Sequence, residues 1–189
     1  MCGYGTHTDS PAHFFYDTEG CNKIDDMPVK HQLVFGAVID ISEKSAEDPD
    51  CELTMDDLAE WEGEHGTIPE GAFVSLRSGW DTKLNDEKAY MNYSEEHKRH
   101  RFPGWSLEVA VFLFEQRKIA GIGTDCVCID PGKRFLQKED VHLFLLKRNV
   151  YFLELMDLRN APKGPCVMLL APLLVRAAPE TPTRVLTFS

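Results

Sequence analysis

The segment LVFGAVIDIS, residues 33–42, decides the class of fold that the sequence indicates. It is short, apolar and rich in β-branched residues, which is typical of a buried strand. Similar segments follow at irregular intervals, and only a few helical segments separate them. This order predicts a mixed α/β (α+β) domain with a mixed β-sheet core and a few flanking helices, rather than a doubly wound sheet. The predicted strands cover 33–42, 71–80, 119–132, 150–158, 165–176 and 183–189.

Helices are predicted where an apolar face follows a capping residue. Thr54 is a suitable N-cap for a helix that continues to about Glu64, and Ser106 is one for a helix over 106–118. A third helix is predicted over 139–149. Residues 43–53 are predicted to be a solvated acidic loop, and residues 81–104 a polar, irregular segment.

Length and charge limit the classes of function. A chain of 189 residues fits one domain with a proper core. It carries 20 Lys and Arg against 31 Asp and Glu, a net charge of −11, which argues against nucleic acid or an anionic membrane as partner. The sequence shows no run of eighteen apolar residues and no signal peptide at its start, so a cytoplasmic location is expected.

The six cysteines form no CxxC pair and no spacing typical of a disulfide framework, and we expect them to be reduced. The CVC segment at 126–128 could chelate a soft metal. Two small core residues on one face of a strand are the commoner meaning of such a pattern.

Histidines and an aspartate lie side by side in GTHTDSPAHFF, residues 5–15. His7 and Asp9 are two apart, so on an extended segment they project to the same side, as a chelating pair must. Gly5 gives the backbone room to turn. His13 follows closely enough to face the same pocket without being a ligand itself. Such nitrogen and carboxylate groups suit a divalent transition metal.

A second pair lies in the C-terminal half of the chain. Glu154 is placed in an apolar predicted strand, where a carboxylate is costly unless a cation neutralises it. His142, twelve positions earlier, lies on the predicted helix that precedes that strand.

Several segments together resemble the cyclase family of metal-dependent hydrolases, a group that includes kynurenine formamidases and isatin hydrolase. GTHTDSPAHF (5–14) is similar to the family signature, which runs Gly-Thr-His-x-Asp-x-Pro-x-His-Phe after an initial His-x. LRSGW (76–80), FPGWS (102–106) and GIGTDCVCIDPG (121–132) resemble further family segments. Family members also carry a histidine and a glutamate twelve positions apart that both reach the metals.

The resemblance implies a set of roles for this chain. It implies one cyclase-family hydrolase domain over residues 1–189, without the strand that usually precedes the signature, and a homodimer. It also implies zinc, or manganese as the alternative, which activates a water molecule for attack on a small aromatic amide. His13 is then the general base, the metal ligands are His7, Asp9, His142 and Glu154, and Phe14, Phe15, Trp80 and Trp105 are candidates for the substrate wall, although each aromatic could equally be core.

The substrate that the resemblance implies first is an aryl formamide such as N-formylkynurenine, which tryptophan catabolism converts to formate and kynurenine. A cyclic amide or ester of the isatin hydrolase type is the alternative, because the two would differ in pocket shape and not in catalytic residues. A non-catalytic family member is a third hypothesis. It rests on Gly3, which stands where the signature has its first histidine. The loss of that histidine predicts one tightly bound metal and a second that is weak or absent.

Overall fold

The computed structural model describes residues 5–189, and Gly3 therefore lies outside the described residues. Eleven strands are present in that part of the chain. They are β1 (His7–Asp9), β2 (Leu33–Asp40), β3 (Glu52–Leu53), β4 (Phe73–Arg77), β5 (Tyr93–Ser94), β6 (Arg99–His100), β7 (Gly104–Trp105), β8 (Gly121–Thr124), β9 (Tyr151–Glu154), β10 (Gly164–Pro172) and β11 (Glu180–Phe188).

The helices of residues 5–189 are mostly short. The α-helices are α1 (Ala12–Phe15), α2 (Ser42–Glu47), α3 (Met55–His65), α4 (Glu87–Met91), α5 (Leu107–Phe112) and α6 (Asp140–Leu146). A π-helical turn, Leu113–Arg117, continues α5, and 3₁₀ turns cover Ile24–Asp26, Val29–His31 and Trp80–Lys83. In the described part of the chain, no helix is long and apolar enough to cross a membrane.

Seven strands close into a barrel in the order β1-β11-β10-β2-β4-β8-β9, and β9 pairs back with β1. The pairs β2–β4, β4–β8 and β8–β9 are parallel. The remaining neighbours, from β9 through β1, β11 and β10 to β2, are antiparallel. The predicted mixed α/β fold with a mixed sheet at its core is therefore confirmed.

The two faces of the barrel wall bury different sets of side chains, because successive residues of a strand point to opposite sides. Val34 and Val38 of β2 belong to one buried cluster with Phe73, Met168 and Leu170. The alternate positions of β2 and β4 pack under the helices in a second cluster, which contains Ala37, Ile39, Val74, Leu76, Leu58, Trp61, Val109 and Leu145. The helices thus cover one side of the barrel.

Both predicted helix caps are confirmed. The Thr54 side chain accepts a hydrogen bond from the backbone N–H of Asp57, and α3 runs from Met55 to His65. The Ser106 side chain accepts one from the N–H of Val109 at the start of α5.

Several predictions of local structure were wrong. The segment 81–104 is not all irregular, since it contains α4, β5 and β6. The strand predicted over 150–158 ends at Glu154, and the one predicted over 165–176 ends at Pro172.

Two further differences have a clear physical cause. Residues 43–53 are not all loop, since α2 covers Ser42–Glu47. At the start of this helix the backbone N–H of Ser42 donates a hydrogen bond to the Asp40 carboxylate. The predicted strand 119–132 ends at Thr124. The chain turns there because the buried Asp125 carboxylate accepts hydrogen bonds from the backbone of Ser78 and Trp80.

Candidate metal centre

The short strand β1 aims the first two candidate ligands at β9. Gly5 has a φ of +79°, in the left-handed region that favours glycine, and it turns the chain into the strand. His7 and Glu154 are paired across β1 and β9. The Nε2 atom of His7 lies 3.7 Å from Asp9 Oδ1 and 3.8 Å from Glu154 Oε2. Its Nδ1 faces the carbonyl oxygen of Gly5 at 3.0 Å, which leaves Nε2 free for an ion.

Helix α6 supplies His142, and Asp130 fixes its position. The Asp130 carboxylate accepts hydrogen bonds from the backbone N–H groups of Val141 and His142. It also lies 2.7 Å from Nδ1 of His142, so that Nε2 points to Glu154 Oε1 at 3.3 Å. Burial alone would lower the pKa of His142, but its hydrogen bonds to Asp130, Cys128 and Glu154 raise that pKa well above its usual value.

Glu154 ends β9 with its side chain held in place. Its Oε1 accepts a hydrogen bond from the backbone N–H of Ile129. Leu155 follows with a φ of +55°, and its backbone is bonded on both sides, to Cys126 and to the Thr6 hydroxyl. A non-glycine residue in this conformation is strained and persists only where its surroundings enforce it.

The surroundings of Asp9 show whether the cluster suits a cation. The residue is 1% exposed, and its Oδ1 has no hydrogen-bond partner among residues 5–189. Burial and the nearby charge of Glu154 raise the pKa of Asp9 well above its usual value. A buried carboxylate oxygen without a donor is costly, and a cation removes that cost. Asp9, His142 and Glu154 offer ligand atoms that all lie within 4.8 Å of one another, and this nitrogen and oxygen set fits a divalent ion.

His13 lies at the edge of the candidate metal centre, next to Asp9 and Glu180. Its side chain is 32% exposed, and its Nδ1 lies 4.0 Å from Asp9 Oδ1 and 3.5 Å from Glu180 Oε2. Burial lowers the pKa of His13 below its usual value, which favours the neutral imidazole. Phe14 stacks between His13 and His142 with 38% of its surface exposed, so the structure brings this predicted wall residue to the site.

The other three predicted wall residues are directed into the core. Phe15 packs against the main core cluster. Trp105 is fully buried there, and its indole N–H donates to the carbonyl of Gly123. Trp80 is 2% exposed in a third buried cluster and donates to the carbonyl of Tyr90. Buried rings with satisfied N–H groups have no face left for a substrate, so the core interpretation holds for both tryptophans.

Two residues of the site were not among the predicted site residues. Asp130 orients His142, and its only signal in the sequence is its place in the segment that resembles the family. Glu180 lies opposite Asp9 across β1 and β11. Its position depends on the register of two strands that are far apart in the chain, and a single acidic residue gives no local signal of that.

The CVC segment is buried core, as its commoner meaning predicted, although it lies in a loop and not in a strand. Burial raises the pKa of both thiols, Cys126 and Cys128, well above their usual values, so both stay protonated. Cys128 does come close to Asp130 and His142. The short contact between those two residues already uses Nδ1 of His142.

Comparison with known proteins assigns the chain to a family. The Cyclase family model matches residues 2–131, more than half of the chain. The chain belongs to the Cyclase family. The chain is similar in sequence to an isatin hydrolase of Roseibium aggregatum, with 32% identity over 186 residues. The match covers 96% of this chain and 70% of that relative.

Solved structures agree in fold. Isatin hydrolase A from Labrenzia aggregata, bound to benzyl benzoate, superposes with a TM-score of 0.88 at 32% identity, covering 98% of this chain and 72% of that one. Isatin hydrolase A from Ralstonia solanacearum gives a TM-score of 0.88 at 31% identity, covering 98% and 71%. A third isatin hydrolase, bound to the product analogue thioisatinate, gives 0.89 at 31% identity, covering 99% and 72%.

Proposed function

We propose that this chain is a metal-dependent hydrolase that opens a cyclic amide of the isatin type. The observation that carries the proposal is the buried cluster of Asp9, His142 and Glu154, with an Asp9 oxygen that lacks a donor among residues 5–189. Its similarity to isatin hydrolases over nearly its whole length supports the choice of substrate class.

The metal ligands in this proposal are His7, Asp9, His142 and Glu154. When bound, a divalent cation would polarise a substrate carbonyl and increase the acidity of water. Zinc is the first candidate and manganese the second, because imidazole and carboxylate ligands suit both ions. Because the pKa values of Asp9 and His142 are raised in the metal-free protein, protons compete with the metal for both groups.

His13 carries the proton transfers. Its neutral ring takes a proton from water as the new carbon–oxygen bond forms at the carbonyl. It then gives that proton to the amide nitrogen as the carbon–nitrogen bond breaks, which yields an amine and a carboxylic acid. The acid releases its own proton to solvent and becomes a carboxylate. Phe14 offers an exposed ring beside His13, on which the aromatic part of a substrate can stack.

An aryl formamide remains the competing substrate. The same residues would hydrolyse it, because both reactions attack a carbonyl carbon and release a nitrogen. The similarity to isatin hydrolases favours the cyclic substrate.

A substrate comparison tests the proposal. The purified chain is stripped with a chelator, reloaded with zinc or manganese, and assayed with isatin and with N-formylkynurenine. We expect metal-dependent ring opening of isatin with a higher kcat/KM than for the formamide. A higher kcat/KM for the formamide would make the aryl formamidase prediction correct instead. Turnover of neither substrate with either metal would contradict the proposed activity.

We also propose that the chain forms a homodimer and is cytoplasmic. The outward side chains of β2, β10 and β11 support self-association. Leu169 of β10 is paired with Leu33 and Leu186, and Val167 is paired with Phe35 and Phe188. Five of these six apolar residues are between 37% and 62% exposed.

Charge favours a second copy as the occupant of this apolar face. The chain carries a net charge of −11, so most of its surface repels another copy. The six paired residues are uncharged, and two such faces in contact would bury on the order of 1,000 Å², the size of a specific interface. Light scattering should show a dimer at micromolar concentration and a monomer for Val167→Lys. The exposed Leu136→Glu is the control and should stay dimeric. A monomeric natural chain would contradict the proposal.

A further inference from the structure

Glu180 approaches His13 from β11, the strand that lies beside β1. The register of the two strands pairs Glu180 with Asp9, and both carboxylates reach the edge of the candidate metal centre where His13 lies. Oε2 of Glu180 is 3.5 Å from Nδ1 of His13, and Oδ1 of Asp9 is 4.0 Å from the same nitrogen. Of the two ring nitrogens of His13, Nδ1 is therefore the one that faces carboxylates.

The backbone holds Glu180 and His13 at this distance through Ser10. Ser10 is fully buried, and its backbone N–H and its hydroxyl both donate to the carbonyl oxygen of Pro179, at 2.9 and 2.8 Å. The carbonyl oxygen of Ser10 in turn accepts a hydrogen bond from the backbone N–H of His13 at 2.8 Å. Glu180 directly follows Pro179 in the chain. The start of β11 and the helix that carries His13 are thus tied together by one residue.

The ring of His13 is also limited in how it can turn. It stacks on Phe14, with ring centroids 5.1 Å apart and an angle of 27° between the ring planes. A stacked ring makes its hydrogen bonds through its edges. Because the Nδ1 edge faces Glu180, Nε2 is the nitrogen left for a water molecule or a substrate.

The two carboxylates near His13 differ in what else they do. In the proposed function Asp9 is a metal ligand, and its side chain is only 2% exposed. The Glu180 side chain is 22% exposed and lies closer to Nδ1. An ionised carboxylate accepts hydrogen bonds but cannot donate them, so it keeps the ring proton on the nitrogen that faces it. The neutral ring then has an unprotonated Nε2, which is the form that a general base needs.

We propose that Glu180 is a positioning residue that acts through His13: it holds the proton of the neutral imidazole on Nδ1 and leaves Nε2 free as the base. This inference rests on the proposed function, in which His13 carries the proton transfers. In this role Glu180 contacts neither the metal nor the substrate.

Nitrogen NMR of the zinc-loaded protein measures the position of that proton without any turnover. The ring signals of His13 are identified as those missing from His13→Gln. The spectra are recorded at about pH 8, where the ring is neutral. We expect the proton on Nδ1 in the natural chain and in the exposed control Glu19→Gln. In Glu180→Gln an amide N–H can donate to Nδ1, so we expect the proton mainly on Nε2.

Steady-state kinetics with isatin measure what the positioning contributes. We expect Glu180→Gln to retain zinc and KM like the natural chain, while kcat falls by about tenfold or more, a part of the contribution of a general base. Glu180→Asp keeps a carboxylate and should recover part of kcat. In the His13→Gln background, Glu180→Gln should cause no further loss, because a residue that acts through another is not additive with it. Circular dichroism checks that each variant is folded.

Three results would overturn this role of Glu180. A His13 proton that stays on Nδ1 in Glu180→Gln would show that another group holds it there. Loss of bound zinc in Glu180→Gln would make Glu180 a metal ligand instead. An equal further loss of kcat in the His13→Gln background would show that Glu180 does not act through His13. Failure of the proposed function is seen separately, because the natural chain itself would then bind no zinc or turn over neither substrate.

Discussion

His7 and Glu154 face each other across the β1–β9 pair, with His7 Nε2 3.8 Å from Glu154 Oε2, although 147 residues separate them in the chain. This pair closes the barrel and builds the candidate metal centre at the same place. The closure of the barrel thus fixes the geometry of the ligands. A ligand set held by strand pairing is rigid before any ion arrives, which is the arrangement that favours tight binding.

Glu154→Gln should separate metal binding from stability. The amide keeps an oxygen for the Ile129 N–H but removes the negative charge that raises the pKa of Asp9. We expect loss of tight metal binding together with a metal-free protein about 1 kcal/mol more stable, or roughly 2–4 °C higher in Tm. Thermal unfolding in chelator and zinc binding measure the two effects. A lower Tm in chelator would show that repulsion at this site is unimportant.

Asp130→Asn tests the positioning of His142. The asparagine can still accept a backbone N–H at the start of α6, but it no longer holds the imidazole through a charged partner. We expect the affinity for zinc to fall by about 10- to 100-fold. Asp140→Asn, a neighbouring carboxylate outside the cluster, is the matched control and should bind zinc as the natural chain does. Equal affinities for both variants would contradict this role of Asp130.

His13→Gln should reduce turnover without reducing tight metal binding. A general base contributes about 10²- to 10⁴-fold, so kcat/KM should fall by that order. Because burial lowers the pKa of His13, the natural chain keeps the neutral base at neutral pH and loses activity only below about pH 6.5, the usual pKa. His97→Gln, an exposed histidine far from the site in sequence, is the control. An acid limb that persists unchanged in His13→Gln would assign it to another group.

The lowered pKa of Asp40 predicts how the free energy of unfolding depends on pH. Burial alone would raise its pKa, but hydrogen bonds from Ser42, Lys163 and Arg77 lower it to about 2. The unfolded chain, with a pKa near 3.9, therefore binds a proton that the folded chain does not between about pH 4 and pH 2. The stability that Asp40 contributes is complete above pH 4 and is lost as the pH falls through this window.

Asp40→Asn should destabilise the protein by about 1–3 kcal/mol at pH 7, because Arg77 loses its charged partner. The difference from the natural chain should shrink toward pH 2. Urea unfolding at a series of pH values measures it, with the exposed Asp17→Asn as the control. A difference that does not change between pH 7 and pH 2 would contradict the lowered pKa.

Local chemistry made part of this fold predictable. The caps Thr54 and Ser106 bond to backbone groups three residues away, so the sequence alone contains both partners. The end of β8 was missed because Asp125 turns the chain with hydrogen bonds to Ser78 and Trp80, more than forty residues away. An apolar run gives no sign of such distant partners.

The residues of the candidate site also fall into those that the sequence predicted and those that it did not. The four predicted ligands converge, since His7 and Asp9 share a motif and Glu154 is a carboxylate in an apolar strand. Glu180 was missed because only the register of β11 against β1 places it there. Trp80 was a candidate for the substrate wall or for the core, and its ring is buried under Lys83 with its N–H satisfied.

The metal content of the purified chain tests the central claim most directly. Protein stripped of metal, dialysed against zinc and then against metal-free buffer should retain about one zinc per chain, while Asp9→Asn should retain almost none. Retention of less than a tenth of an equivalent by the natural chain would contradict the account and favour a family member that keeps the fold without the chemistry.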